Sequence, residues 1–318
     1  MKHFVWLLAG MLAVPAYSQT FPSRPITVVV ATSPGSTPDV LMRHLSVALS
    51  QRLGQPLVID NRAGASGNIG AAHVAKAAPD GHTLLFTAVL FTMTPAFHKS
   101  LPYDPASDFE PIGTLGKATL ALVAHPSMSA SNANEYLALA RSRAGSLNFG
   151  TPGVGTPHHL ILELMKQQEK VDIVHVPYKG TAGMITGVIA GETGSAFFPL
   201  TAALPQAAAG KLRILALLTE RRSEFAPQVG TFREAGLDGM SDLDNWTALF
   251  APARTPPEIV RRINREVMPL MDAAENRDFL AKHGVVPMTG SPEALGALVK
   301  RELPRWRRVV DQAGIKAE

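Results

Sequence analysis

Two loops combine glycine, hydroxyl side chains and a helix start, a combination that can bind anions. Residues 33–39 read Ser-Pro-Gly-Ser-Thr-Pro-Asp, and residues 151–157 read Thr-Pro-Gly-Val-Gly-Thr-Pro. In each loop we expect the last threonine to cap a helix and the following proline to begin it, since proline lacks an amide that would be unpaired there. The free amides and the positive end of the helix dipole favour an anion. One loop alone would be no more than a helix cap, but the pair predicts two contacts for a molecule bearing carboxylates.

Further groups follow neighbouring strands of the chain. Tyr178 and Lys179 offer a phenol and an ammonium, and segments 87–92 and 198–201 follow two more strands. Lys179 could pair with a carboxylate, although a solvated surface lysine is the simpler interpretation. Because ligands of open α/β sheets bind beyond the carboxyl ends of the strands, these groups are candidates for the same cleft.

Catalytic motifs are absent from the sequence. It contains no G-x-S-x-G elbow, S-x-x-K, P-loop or H-E-x-x-H. His159 and Glu163 are four residues apart and could form half of a metal site, but we find no third ligand and favour a structural polar pair. The glycine-rich segment 64–70 lacks the G-x-G-x-x-G spacing and favours a tight turn. We therefore predict no catalytic residue, no metal and no cofactor.

Short apolar segments alternate with helical patterns along the chain. The first, residues 26–31, is a continuous β-branched run typical of a buried strand, and the apolar positions of 40–49 recur at helical spacing. Further strands are predicted at 57–59, 83–87, 120–124, 173–176, 195–198 and 214–218, and segment 258–311 is predicted to be mainly helical. This alternation predicts an α/β fold with mostly parallel sheets. Four arginines crowd the last helix, at positions 301, 305, 307 and 308; a solvated helix face explains them better than an anionic partner does.

Composition limits the class of protein. The chain has 318 residues, enough for about two domains, and its 30 basic and 26 acidic residues give a net charge of +4. This small excess argues against nucleic acid as the partner. With 46% hydrophobic and 18% charged residues the chain is globular. Cysteine is absent, which excludes disulfides, cysteine-ligated metals and cysteine nucleophiles.

The amino terminus has the pattern of a secretory signal. A short basic start is followed by an apolar run over residues 4–14 and by small residues ending at Ser18. The run is too short for a membrane-spanning helix. We predict a signal peptide at 1–18 that is cleaved after about Ser18, and an exported, periplasmic protein.

Several motifs together resemble one family, the substrate-binding receptors of tripartite tricarboxylate transporters, also called the Bug family. The matching stretches follow the family order over essentially the whole mature chain: they occupy residues 21–27, 53–56, 60–70, 78–84, 150–156, 175–180 and 209–213. The resemblance implies a type II periplasmic binding-protein fold, with two α/β domains, crossing hinge strands and a ligand cleft. It implies domain 1 at 19–121 plus 243–318 and domain 2 at 122–242.

The resemblance also implies which residues hold the ligand. A carboxylate-binding role passes to Ser33, Gly35, Ser36, Thr37, Thr151, Val154, Gly155 and Thr156, and a cleft-lining role to Ala88, Tyr178 and Phe198. The expected partners are a small carboxylate and a membrane permease. We expect a monomer that does not bind nucleic acid.

The chain departs from the family pattern at two places. The first loop has Ser36 and Thr37 where many members have glycines, and Phe198 stands where many carry an aspartate. Because phenylalanine cannot pair with an amine, we expect a dicarboxylic or aromatic acid rather than an amino acid, with Phe198 and Phe91 packing on its body. Two alternatives stay open, a sensor that feeds a signalling system and a periplasmic hydrolase that uses His158 or His159.

Overall fold

A computed structural model describes residues 21–98, 100–240, 243 and 245–315. The predicted signal peptide lies outside these residues. Within them, no helix combines the length and apolar character that crossing a bilayer requires.

Eleven strands and ten α-helices form the described part of the chain. The strands are β1 (Ile26–Val30), β2 (Leu57–Asn61), β3 (Thr83–Ala88), β4 (Phe109–Ala118), β5 (Leu120–Ala124), β6 (Asn148–Thr151), β7 (Val174–Pro177), β8 (Ser195–Pro199), β9 (Arg213–Leu217), β10 (Asn245–Pro252) and β11 (Val285–Pro287). The helices are α1 (Thr37–Leu53), α2 (Asn68–Ala75), α3 (Leu90–Met93), α4 (Ala133–Ser142), α5 (Pro157–Glu169), α6 (Thr181–Ile189), α7 (Leu200–Ala208), α8 (Pro257–Asp272), α9 (Ala274–Lys282) and α10 (Pro292–Gln312).

The strands form two sheets, each with flanking helices. Lobe 1 contains the six-stranded sheet, in the order β11-β4-β10-β3-β1-β2, and lobe 2 contains the five-stranded sheet, in the order β7-β6-β8-β5-β9. The prediction of two α/β domains is confirmed. The prediction of mostly parallel sheets is wrong, because β4, β10 and β11 run antiparallel to their neighbours in lobe 1, as does β5 in lobe 2. A buried apolar run does not encode strand direction.

The chain crosses between the lobes twice. Thr119 alone separates β4 of lobe 1 from β5 of lobe 2, and the return runs from β9 to β10. The domain boundary expected after residue 121 falls inside β5, just beyond the first crossing. The boundary expected at 242/243 falls in the return segment.

Strand register shows which sheet edges face each other. At the first crossing, Ala118 pairs with Asn245, and Thr247 pairs with Ala88 at the carboxyl end of β3. Leu120, just beyond that crossing, pairs with Pro199 at the carboxyl end of β8. The carboxyl ends of the parallel strands of both lobes therefore meet at the crossings, which is where a ligand cleft forms in such folds.

Two hydrophobic cores hold the lobes. Alternate residues of β1 point to opposite faces, so Val28 belongs to a core confined to lobe 1 and Val29 to a second core. The second core continues through Trp246 and Trp306 to Phe197 in lobe 2. Helix α10 thus packs on both lobes.

Candidate functional site

The first loop connects β1 to α1. Ser36 is the N-cap, and the amide of Val40 donates the first helical hydrogen bond to its carbonyl at 2.9 Å. The amides of Thr37 and Asp39 precede this bond, so they have no acceptor within the helix. The side chain of Thr37 is exposed. We expected Thr37 as the cap, and the helix begins one residue earlier than that.

The side chain of Asp39 stabilises this loop through hydrogen bonds. Its carboxylate is buried and accepts hydrogen bonds from the Gly35 amide at 2.8 Å, from Asn61 Nδ2 at 2.8 Å and from Arg43 Nε at 2.9 Å. Burial works to raise the pKa of Asp39, but these hydrogen bonds and the charge of Arg43 outweigh it and hold the pKa below its usual value. The amide of Gly35, which we expected to bind a ligand, is therefore engaged inside the loop.

The second loop connects β6 to α5 and repeats this arrangement. Thr156 is the N-cap; its hydroxyl donates to the Gly153 carbonyl at 2.8 Å and accepts from the His159 amide at 3.4 Å. The amide of Gly155 donates to His159 Nδ1 at 3.2 Å. The first helical bond runs from Leu160 to Thr156, so the amide of His158 is without a helical acceptor.

The two loops are alike at the glycine before the cap and at the third residue of the helix, although only Thr156 makes a side-chain capping hydrogen bond. Gly35 and Gly155 both have a positive φ, 79° and 75°, and each donates to the side chain four residues ahead. That acceptor is Asp39 in lobe 1 and His159 in lobe 2, the third residue of each helix. Sequence reasoning missed both supporting residues, although a polar side chain at the third helical position is a known capping signal.

His159 sits in a buried cluster behind the second loop. Its ring stacks on His175 with centroids 4.0 Å apart, and His175 Nε2 lies 2.6 Å from Thr151 Oγ1. Burial, together with the charge of Lys166, lowers the pKa of His159 to about 4. Burial also lowers the pKa of His175 to about 4; His159 and Lys166 act in the same direction, and the charge of Glu163 opposes them. Both rings are therefore neutral near pH 7, as the hydrogen bond accepted by Nδ1 requires.

Four of the residues predicted to contact the ligand differ from the others in their burial or direction. Thr151 and Phe198 have no exposed surface, so a ligand cannot touch either without rearrangement. Phe91 is 3% exposed and packs among Phe109 and Phe250 instead of on a ligand.

Tyr178 is the fourth of these residues. Its hydroxyl lies 3.3 Å from Glu192 Oε2 and 3.4 Å from Thr193 Oγ1, at the turn that enters β8 from the opposite edge. The phenol therefore lies along α6 and points away from the carboxyl ends of the strands.

The other predicted residues are on or near the surface at the carboxyl edges. Ser33, Gly35, Thr37 and Val154 are exposed; Ser36, Ala88, Gly155 and Thr156 are half-buried. The hydroxyls of Ser36 and Thr32 are 2.8 Å apart, which fixes the first loop. Sequence reasoning missed Phe97, whose ring in lobe 1 faces Gly155 in lobe 2: a β-carbon built on Gly155 would lie 3.9 Å from Phe97 Cε1.

Neither histidine of the hydrolase alternative is arranged as a base. His159 is 5% exposed and its Nδ1 already accepts a hydrogen bond. Both ring nitrogens of His158 are buried, with no hydrogen-bond partner among the described residues. Glu163 pairs with Lys166 at 2.9 Å and lies 3.9 Å from His159 Nε2. Across the described ranges, no cluster of three or more histidine or acidic side chains could hold a metal ion.

The fold and these loops define a class of protein. Two α/β lobes are joined by crossing strands, and each presents a helix N-terminus where the carboxyl edges meet, as in periplasmic solute-binding proteins. The chain belongs to the tripartite tricarboxylate transporter family of receptors, because the model of that family, TctC, matches residues 41–315. The resemblance found in the sequence is confirmed.

Relatives and solved structures agree with this assignment. The protein BugT of Bordetella pertussis is 31% identical over 98% of this chain and 96% of its own length. The R. palustris protein Rpa4515, solved with adipate, is 34% identical with a TM-score of 0.76 over 93% of this chain and 99% of that one. MatC from Rhodopseudomonas palustris, with bound malate, is 32% identical with a TM-score of 0.72 over 91% of this chain and all (100%) of that one.

Proposed function

We propose that this receptor captures a small carboxylate between its lobes and delivers it to a membrane permease of the tripartite type. The observation that carries the proposal is the pair of equivalent loops, one on each lobe, where free helix-end amides meet hydroxyl side chains. Thr37 in lobe 1 and Thr156 in lobe 2 are the central contacts. Such helix ends bind carboxylates through hydrogen bonds and the helix dipole.

The bound acids of two similar proteins support the ligand class. Adipate and malate are both dicarboxylates, and each was found in a protein about one third identical to this chain. An amino acid is a poorer candidate here. Asp39, the carboxylate behind the first loop, is buried and already has its oxygens engaged by three donors, so it does not offer a partner for a ligand amine.

The energy required is modest. A micromolar dissociation constant corresponds to about −8 kcal/mol, which charge-assisted hydrogen bonds at one or two carboxylates and a buried carbon chain can supply. A ligand that contacts both lobes binds the closed state better than the open one and shifts the population towards closure. We propose that the receptor acts as a monomer and presents this closed state to the permease.

The test is a thermal-shift screen of the purified receptor. Succinate, malate, adipate and benzoate are compared with aspartate and glutamate, each at several concentrations. At 100 times its dissociation constant a ligand adds about 2.7 kcal/mol of stability, which is an easily measured rise in Tm. We expect stabilisation by at least one dicarboxylate and by neither amino acid. Binding of aspartate or glutamate alone would reject the proposed ligand class.

Delivery is tested separately. The receptor, saturated with the acid found in the screen, is used to capture detergent-solubilised membrane proteins from its own source cells, with the unliganded receptor as the matched control. Enrichment of a multi-spanning permease with the liganded form supports transport. Enrichment of a membrane kinase in its place would favour a sensor.

A further inference from the structure

One exposed apolar side chain lies on the second loop, and another lies on the helical turn that packs behind the first. Val154 is 67% exposed at the tip of the second loop, between two glycines. Ile69 is 54% exposed in the first turn of α2. That turn packs against the end of β1: β-carbons built on Gly67 and Gly70 would lie within 3.2 Å of Ala31, the residue that directly follows β1. Val154 thus belongs to the second loop itself, whereas the Ile69 side chain lies over Gly64, on which a built β-carbon would be 2.8 Å from Ile69 Cδ1.

Phe97 adds an aromatic surface opposite the second loop. It follows a short 3₁₀ helix, Thr94–Ala96, and its amide donates to the Thr94 carbonyl at 2.9 Å. Thr94 is buried and its hydroxyl donates to the Leu90 carbonyl at 2.7 Å, so this segment is fixed. The half-buried ring packs against the core on one side and faces Gly155 on the other. Little conformational entropy is lost when a ligand packs on a ring held in this way.

The left-handed backbone conformation of Gly155 allows the second loop to lie close to the Phe97 ring. Its φ of 75° is a conformation that favours glycine, and a side chain there would sit against the Phe97 ring. The second loop therefore brings bare backbone to the ring, and Val154 stands beside it.

From this arrangement we infer that Phe97 and Val154 form an apolar wall along which the carbon chain of the ligand lies. The inference rests on the proposed function and names its substrate class more narrowly: carboxylates with an extended, unsubstituted or aromatic body. The sequence analysis expected Phe198 and Phe91 to pack on the body of the ligand, but both are buried. We assign that contact to the wall. Burying one methylene against such a wall increases affinity about fourfold.

The test is a calorimetric series of unbranched α,ω-dicarboxylates: succinate, glutarate, adipate and suberate. In the unmodified receptor we expect Kd to fall about fourfold with each added methylene until the chain outgrows the wall. Phe97→Ala is expected to reduce this dependence below twofold per methylene while changing succinate binding less than threefold. Val154→Ser removes an exposed side chain at no cost to the core and is expected to act in the same direction. Val47→Ala, which alters an equally exposed valine (66%) in the middle of α1, is the matched control.

The outcomes separate the two proposals. If no dicarboxylate binds the unmodified receptor, the proposed function and the wall both fail. If dicarboxylates bind without any dependence on chain length, the wall alone fails. Equal losses for all four acids in Phe97→Ala would assign the ring to lobe closure instead of to ligand contact, and would overturn the inference as well.

Discussion

Asp39 and His159 perform the same task with different charge. Each accepts a hydrogen bond from the glycine amide four residues earlier, and each is the third residue of its helix. Asp39 is an ionised carboxylate whose charge Arg43 offsets at 2.9 Å, whereas His159 is neutral. A ligand carboxylate at the second loop meets no buried negative charge directly behind the glycine. We therefore expect the second loop to bind its carboxylate more tightly than the first.

Phe198→Ala tests the corrected place of Phe198. Because the side chain has no exposed surface and belongs to the core shared by the lobes, its removal leaves a cavity. We expect a loss of about 3–5 kcal/mol in the free energy of unfolding, measured by urea titration, with Kd for dicarboxylates nearly unchanged in the folded protein. Weakened binding without a loss of stability would return Phe198 to the cleft.

The helix starts were predictable from the sequence, because they depend on residues that are neighbours along the chain. The Thr-Pro pairs revealed both helix starts to within one residue because capping depends on local chemistry. The directions of Tyr178 and Phe198 were not predictable, because they depend on packing against α6 and β5. Phe97 gave no sequence signal, since its role arises from a contact with a loop in the other lobe.

At the scale of elements, the cap of α5 connects stability to ligand binding. Thr156→Ala removes the hydroxyl that accepts from His159 and donates to Gly153. We expect a loss of about 1 kcal/mol in unfolding free energy and a weakening of Kd by tenfold or more, since the helix end is itself a proposed ligand contact. Urea titration and calorimetry with the acid found in the screen measure the two effects.

Ser291→Ala is the matched control for that variant. Ser291 caps α10 by accepting from the Ala294 amide at 3.2 Å, the same kind of bond as in α5. A similar loss of stability with unchanged Kd is expected. Equal weakening of ligand binding by both variants would mean that Thr156 acts only through global stability.

Helix α6 is fitted to the ring of Tyr178 through Gly187. A β-carbon built on Gly187 would lie 2.2 Å from Tyr178 Oη, much closer than atoms can approach. We expect Gly187→Ala to destabilise the protein by about 1–3 kcal/mol, because either the ring or the helix must move. Gly296→Ala, in α10, is the comparison: its nearest neighbour would be Pro111 Cγ at 3.5 Å, and helix propensity predicts a gain of about 0.5–1 kcal/mol. Similar urea midpoints for the two variants would contradict this packing.

Strand direction shows where prediction from local pattern ends. The apolar run 120–124 was correctly predicted as a strand, and it is buried throughout as β5. Its antiparallel pairing with β8 and β9 follows from the crossing at Thr119, which is a property of the chain path. The α/β class was therefore predictable from alternation of elements, while the mixed sheets were not.

At the scale of the whole molecule, α10 couples the lobes. Gln167 Nε2 of α5 donates to the Val309 carbonyl of α10 at 2.9 Å. Glu302 of the same helix is buried and accepts from Trp246 Nε1 at 3.1 Å, where β10 re-enters lobe 1, and from the Thr92 hydroxyl. Burial raises the pKa of Glu302 despite these donors. If the lobes close on a ligand as proposed, α5 has to move relative to a helix that is anchored in lobe 1.

Buried Glu302 and three buried histidines make the stability of the protein depend on pH in opposite directions. Glu302 binds its proton more tightly in the folded state, so its contribution falls as pH rises above 4.5, the value of the unfolded carboxyl. His158, His159 and His175 behave in the opposite way, because burial lowers the pKa of each to about 4. Between about pH 6.5 and pH 4 the unfolded chain binds more protons at these histidines. Their contribution is complete above pH 6.5 and is lost as pH falls towards 4.

His158→Phe isolates one of these contributions. The imidazole nitrogens of His158 are buried without partners among the described residues, so an apolar ring of similar shape should be tolerated. In urea titrations from pH 7.5 to 4.5 we expect the variant to lose stability less steeply on acidification than the unmodified protein, by up to about 3 kcal/mol over the window. His73→Phe, at an exposed position on α2, is the matched control. If both variants keep the original slope, His158 titrates alike in the folded and unfolded chains, and the burial of its ring does not contribute to the acid sensitivity of lobe 2.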